Sequence, residues 1–131
     1  MAKILVIDDD KLVLQSITAA LQKSGHEVET ALDGDLGMRQ YQAVRPDLIV
    51  TDIIMPHKEG IGFIVELRRG DKETPIVALS GGGRSRNLEF LDMALKLGAD
   101  AILRKPVRFG ELIATVERCL RDGRRPAAAD G

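Results

Sequence analysis

Tryptophan is absent from this chain of 131 residues, tyrosine occurs once and phenylalanine three times. So small an aromatic supply leaves little to stack on a flavin. Cysteine also occurs once, at Cys119. An internal disulfide is thereby excluded, and the place of Cys119 on the apolar stripe of an expected helix points to a packed thiol rather than a nucleophile. No apolar run approaches the roughly 20 residues needed to span a membrane. The N-terminal MAKILVIDDD has too short an apolar stretch, with acids behind it, for a signal peptide, so a cytoplasmic location is expected. Neither sign of charge is in surplus. Lys and Arg total 19 against 20 Asp and Glu, a net charge of −1, and this gives no electrostatic reason to expect nucleic acid or membrane as a direct partner.

What is present is a regular alternation. Five apolar runs read as strands, KILVI at 3–7, EVETA at 27–31, DLIVT at 47–51, PIVAL at 75–79 and DAILR at 100–104, with amphipathic helical segments between them. The first, third and fourth are almost continuously aliphatic, as strands covered on both faces must be, whereas EVETA alternates in polarity and belongs nearer an edge. Leu14, Ile17 and Leu21 share a face ahead of Ser24-Gly25, which predicts a helix over 11–23. Phe109, Leu112, Ile113, Val116 and Leu120 make the stripe of a last helix. The pattern is that of a parallel α/β sheet in one domain, residues 1–121. Residues 122–131, rich in Gly, Pro and Ala, are expected to be a disordered tail or the start of a linker.

In a parallel sheet all strand C-termini share one edge, where ligands bind at the point of strand-order reversal. That edge gathers Asp8 and Asp9 after the first strand, Asp52 after the third, Ser80 after the fourth and Lys105 after the fifth. Two unit charges ~4 Å apart at an effective dielectric near 20 repel by ~4 kcal/mol, so carboxylates gathered there need a cation or must take up protons. All-oxygen ligands without a His cluster or Cys pair suit Mg²⁺, and magnesium suggests phosphate chemistry. Asp10 reads instead as the cap of a strand-to-helix turn.

ILVIDDD, LIVTDIIMP, IVALSG and GADAILRKP, in this order and spacing, resemble the receiver domain of bacterial response regulators, the CheY-like family, over roughly residues 2–121. The resemblance implies a doubly wound (βα)₅, flavodoxin-like fold with strand order 2-1-3-4-5. It implies that Asp52 accepts a phosphoryl group from a phosphohistidine on a histidine kinase or histidine phosphotransfer protein. Asp8 and Asp9 would hold Mg²⁺, with Asp52 adding a carboxylate oxygen and Ile54 its main-chain carbonyl. Lys105 and the Ser80 hydroxyl would contact the phosphoryl oxygens, Gly81 would offer its backbone N–H, and Lys105–Pro106 is a candidate cis bond. The downstream target would meet the face of the fourth helix, fifth strand and fifth helix, where Arg84, Arg86, Arg104 and Arg108 are either part of a partner surface or ordinary solvated charge. A monomer or weak dimer is expected.

Two departures from the family pattern stand out. Ile102 replaces the usual Tyr or Phe three residues before the lysine, and Val107 replaces a common Phe after Lys-Pro. Ile54 and Gly82 offer no polar side chain to hold an attacking water, so slow self-dephosphorylation is expected. His57 and His26 are both expected to be ordinary, solvent-facing residues. An Asp-nucleophile phosphatase would place a second Asp at position 54, where Ile54 stands, and the domain is therefore read as a switch and not as a turnover enzyme. A stand-alone receiver is expected ahead of the front portion of a longer regulator, because the chain ends in a short polar tail.

Overall fold

The computed structural model describes the backbone of residues 2–53, 60–81 and 86–124. Ile54, His57, Gly82, Arg84, the Arg86 side chain and the tail from 125 lie outside the described residues. In chain order the described elements are β1 (Lys3–Ile7), α1 (Lys11–Lys23), β2 (Glu27–Ala31), α2 (Gly34–Val44), β3 (Leu48–Asp52), α3 (Gly60–Gly70), β4 (Ile76–Ser80), α4 (Arg86–Leu97), β5 (Ala101–Arg104) and α5 (Phe109–Asp122). The strands form one sheet in the order β2-β1-β3-β4-β5, and every neighbouring pair is parallel. β1, β2 and α1 fall where the sequence pattern puts them. β3 and β4 start one residue later than expected and end on Asp52 and Ser80, so both functional candidates occupy final strand positions.

Alternation along the strands divides the core into two layers. Ile4, Val6, Leu48, Val50, Val77 and Leu79 face α1 and α5, where Leu14, Ile17, Leu21, Leu112, Val116 and Cys119 meet them. Leu5, Ile7, Ile49, Ile76 and Ala78 face the other way, against Tyr41, Phe63, Ile64, Leu67 and Ala94. Each fully buried aliphatic side chain contributes ~1.5–3 kcal/mol, and β1, β3 and β4 bury residues on both faces. β2 lies at the edge with Glu27, Glu29 and Thr30 exposed, as its alternating polarity requires.

Asp10 begins α1 as its N-cap, Oδ1 accepting from the Leu12 N–H at 2.9 Å and the Val13 N–H at 3.3 Å. α2 is brought unusually close to β1 by Gly37, where a Cβ would stand 2.5 Å from Ile7 Cδ1 and 3.1 Å from Ile7 Cγ1.

Two expectations are corrected. Phe109, expected at the head of the buried stripe of α5, is 47% exposed, because the inward face of that helix is carried by Leu112, Val116 and Cys119. His26, expected to face solvent, is buried. Its Nδ1 accepts from the Ala2 N–H at 3.1 Å, which leaves the ring proton on Nε2 to be donated to Glu117 Oε2 at 2.9 Å. The imidazole thus joins the start of the sheet to α5, a long-range pairing that local sequence pattern cannot show.

Candidate functional site

β1, β3, β4 and β5 are successive in the sheet from β1 onward, so the residues that end them are neighbours. Asp8 follows β1 and is wholly buried, Asp52 ends β3 and Ser80 ends β4, both buried, while Asp9 is exposed. The Asp10 N–H donates to Asp8 Oδ1 at 2.9 Å, fixing that carboxylate. Asp8 Oδ2 pairs with the Lys105 ammonium at 2.8 Å, and the same Nζ lies 3.0 Å from Asp52 Oδ2. Lys105 is held from the backbone as well, its N–H donating to the Ser80 carbonyl at 2.7 Å. The expected cis bond is present at Lys105–Pro106. Gly81 follows Ser80, half-buried.

Burial works against the Lys105 ammonium. Hydrogen bonds and charge from Asp8 and Asp52 outweigh it, and the group lies above its ordinary lysine value. One oxygen from each of Asp8, Asp9 and Asp52 lies within 4.8 Å of the others, which makes these three a group able to hold a metal ion among the described residues. Asp8 Oδ2 is buried and has the ion pair with Lys105 but no aligned hydrogen-bond donor among the described residues. An all-carboxylate donor set with such an oxygen fits a hard divalent cation of the size of Mg²⁺.

The structure thus brings Asp8, Asp9, Asp52 and Lys105 together and puts Ser80 and Gly81 at the adjoining strand end. Sequence reasoning passed over Thr51. It is fully buried, and its Oγ1 donates to the Asp52 carbonyl at 3.0 Å. The available signal was a hydroxyl in an otherwise aliphatic strand. Ile102, at the position of the missing aromatic, is partly buried against the α2–α3–α4 layer.

Together the doubly wound sheet and its cation-seeking acid pocket define a flavodoxin-like protein whose chemistry sits at the carboxyl edge. Residues 4–117 match the response regulator receiver domain family, and the chain belongs to it. The transcriptional regulatory protein PrrA of Mycobacterium leprae is 42% identical over 127 residues, covering 97% of this chain and 52% of PrrA. The alkaline phosphatase synthesis transcriptional regulatory protein PhoP of Bacillus subtilis is 35% identical over 120 residues, covering 91% of this chain and 48% of PhoP. This chain therefore spans about half the length of these curated relatives. Among solved structures, the receiver domain of Francisella response regulator 1452 superposes with a TM-score of 0.81 at 33% identity, covering 92% of this chain and 98% of that one. The chain is accordingly a receiver domain of the two-component signalling type, whose members pair with histidine kinases and generally bind Mg²⁺ at an acidic pocket. No described helix is long and apolar enough to cross a membrane.

Proposed function

We propose that Asp52 is the phosphoacceptor of a signalling switch. In this reading an Asp52 carboxylate oxygen attacks the phosphorus of a phosphohistidine on a histidine kinase or phosphotransfer protein. A P–O bond forms as the P–N bond breaks, and the imidazole leaves with the electron pair and takes up a proton. The observation that supports this best is the convergence of Asp8, Asp9 and Asp52 oxygens within 4.8 Å, with Lys105 bridging Asp8 and Asp52. Asp8, Asp9, one oxygen of Asp52 and the Ile54 carbonyl would hold Mg²⁺, which when bound neutralises charge on the transferring phosphoryl group. Lys105 would exchange its carboxylate partner for a phosphoryl oxygen, a second oxygen would accept from the Ser80 hydroxyl, and Gly81 leaves space and a backbone N–H beside them. Little else is needed, because phosphoryl transfer asks the protein mainly for alignment and charge stabilisation.

The acylphosphate would carry about −2 charge where the free carboxylate carried −1, and would shift a conformational equilibrium of the region from Ser80 into α4, altering partner binding on the α4–β5–α5 face. Met93 and Leu95 are exposed on α4, and Arg104 and Arg108 are exposed on and after β5, so apolar and cationic groups are both accessible on these elements. The domain would act in the cytoplasm as a monomer or weak dimer, promoting only the formation and loss of its own acylphosphate. The stand-alone form is one reading. The length of PrrA and PhoP supports a second, in which this receiver works within a longer transcriptional regulator. Incubation with acetyl phosphate and Mg²⁺ should add one phosphoryl group by intact mass to wild type and none to Asp52→Ala. Equal incorporation by both proteins would remove the assignment.

A further inference from the structure

At the edge of the sheet opposite the acids, several segments meet around two guanidinium groups. Arg68, near the end of α3, is buried. It donates from Nε at 3.2 Å and Nη2 at 2.8 Å to the Gly98 carbonyl, from Nη1 at 3.0 Å to the Asp71 carbonyl, and from Nη2 at 3.2 Å to Asp100 Oδ2. Arg124, two residues beyond α5, donates from Nε at 2.9 Å to Asp100 Oδ1, from Nη1 at 3.0 Å to the Lys72 carbonyl and from Nη2 at 3.3 Å to the Gly98 carbonyl. Asp100, with a side chain only 7% exposed, also accepts from the Ile76 N–H at 2.9 Å.

Gly98 closes α4 at φ +133°, and a Cβ there would stand 2.8 Å from Arg68 Cγ and Nε, so glycine and arginine are fitted to each other. Burial and the neighbouring Arg124 charge push the Arg68 pKa down to about 10 against the pull of Asp100 and Asp71, and the group stays charged at neutral pH.

Arg124 lies outside the stretch matched by the family, which ends at residue 117. An arginine past the last helix would ordinarily keep its rotamer freedom in water, yet its side chain is 19% exposed and bonded to three residues in two connecting segments. The topology gives the arrangement a direction. α3 follows the strand that ends on Asp52, α4 follows the strand that ends on Ser80, and both helices finish on this cluster.

We propose that Arg124 is a latch that fastens the chain's exit from the domain to the carboxyl end of α4, and that a phosphoryl group on Asp52, by displacing α4, loosens it. The second half rests on the function proposed above. The latch converts a change at one edge of the sheet into freedom of the backbone leaving the other edge.

The test is backbone ¹⁵N relaxation at Gly123 and Arg124, with the amides of Ser80 and Gly81 as an internal report on the switch. In unmodified wild type the order parameter at Arg124 should be about 0.85, falling below about 0.6 in Arg124→Gln. Arg124 belongs to neither apolar layer, so the fold should be retained. Asp100→Asn should give the same loss. Mg²⁺ with beryllofluoride should lower the order parameter at Arg124 in wild type, and leave it unchanged in Asp52→Ala. A mobile Arg124 in unmodified wild type, or a value unaffected by Arg124→Gln, would overturn the latch. If Ser80 and Gly81 shift while Arg124 stays rigid, the coupling is refuted and the switch stands. If neither responds, the phosphoacceptor reading fails first.

Discussion

Lys105 stands 2.8 Å from Asp8 Oδ2 and 3.0 Å from Asp52 Oδ2, so one ammonium serves two carboxylates that would otherwise face each other in a poorly solvated crevice. Repulsion on the order of 4 kcal/mol between such a pair explains why a third carboxylate, Asp9, keeps its exposure to water. The Asp10 N–H holds the other oxygen of Asp8, so the N-cap of α1 also orients a site residue. In the sequence, Ile54 and Gly82, the second residues after Asp52 and Ser80, carry no polar side chain that could hold an attacking water. Alignment of the attacking water is a large part of its reactivity, so phospho-Asp52 should persist for minutes or longer in buffer. Replacing Ile54 by Asn or Glu should shorten that lifetime on the order of tenfold, as followed by loss of the phosphorylated species in intact mass spectra. Decay within seconds in wild type would show that water is held by other means.

Among the elements, α2 and β1 meet closely at Gly37. Gly37 allows the helix to ride on Ile7, the residue immediately before Asp8. Gly37→Ala gains ~1 kcal/mol in helix propensity but overpacks the contact, at a cost of ~1–3 kcal/mol. A net loss on the order of 1 kcal/mol is expected in urea titrations. Ile7→Val removes the Cδ1 that an added Cβ would strike, so Gly37→Ala should be neutral or stabilising in that background. Additive effects in the double-mutant cycle would show that the two residues do not compete for this space. At this scale the sequence was readable because strands and helices repeat with different periods. Leu14, Ile17 and Leu21 declare a helix face with no knowledge of what covers it. Phe109 misled because it lies at the edge of its stripe, where helical spacing alone cannot tell a core contact from a rim. His26 misled because its partners are 24 and 91 residues away.

For the molecule as a whole, stability should depend on pH through groups at both edges of the sheet. Burial disfavours the Asp71 charge, but donors from the Thr74 hydroxyl, the Tyr41 hydroxyl and the Thr74 and Glu73 amides outweigh it and hold the carboxyl well below the usual range. A depressed folded-state pKa stabilises above the unfolded value and is lost as pH falls through the folded one. The stability gap between wild type and Asp71→Asn should therefore be full at neutral pH and narrow below about pH 4, measured as the difference in urea midpoints. A gap that is constant down to pH 3 would mean that Asp71 acts only through shape. Lys105 has the opposite sign, since its raised pKa stabilises below the ordinary lysine value and its contribution fades as pH climbs beyond it.

Both edges also show how the sequence and the tertiary structure divide the information. Alternating periodicity, aliphatic strands and strand-end acids were enough to determine the fold class, the strand order through a family resemblance, and the position of Asp8, Asp9, Asp52, Ser80 and Lys105 along one edge of the sheet, because each signal lies within a few residues of the element that carries it. Which carboxylate oxygens Lys105 bridges, that His26 is buried against Glu117, and that Arg68, Asp100 and Arg124 close the base of the sheet were decided only by tertiary structure. Those contacts join residues tens of positions apart, and a long charged side chain reads the same in sequence whether it ends in water or on a buried partner.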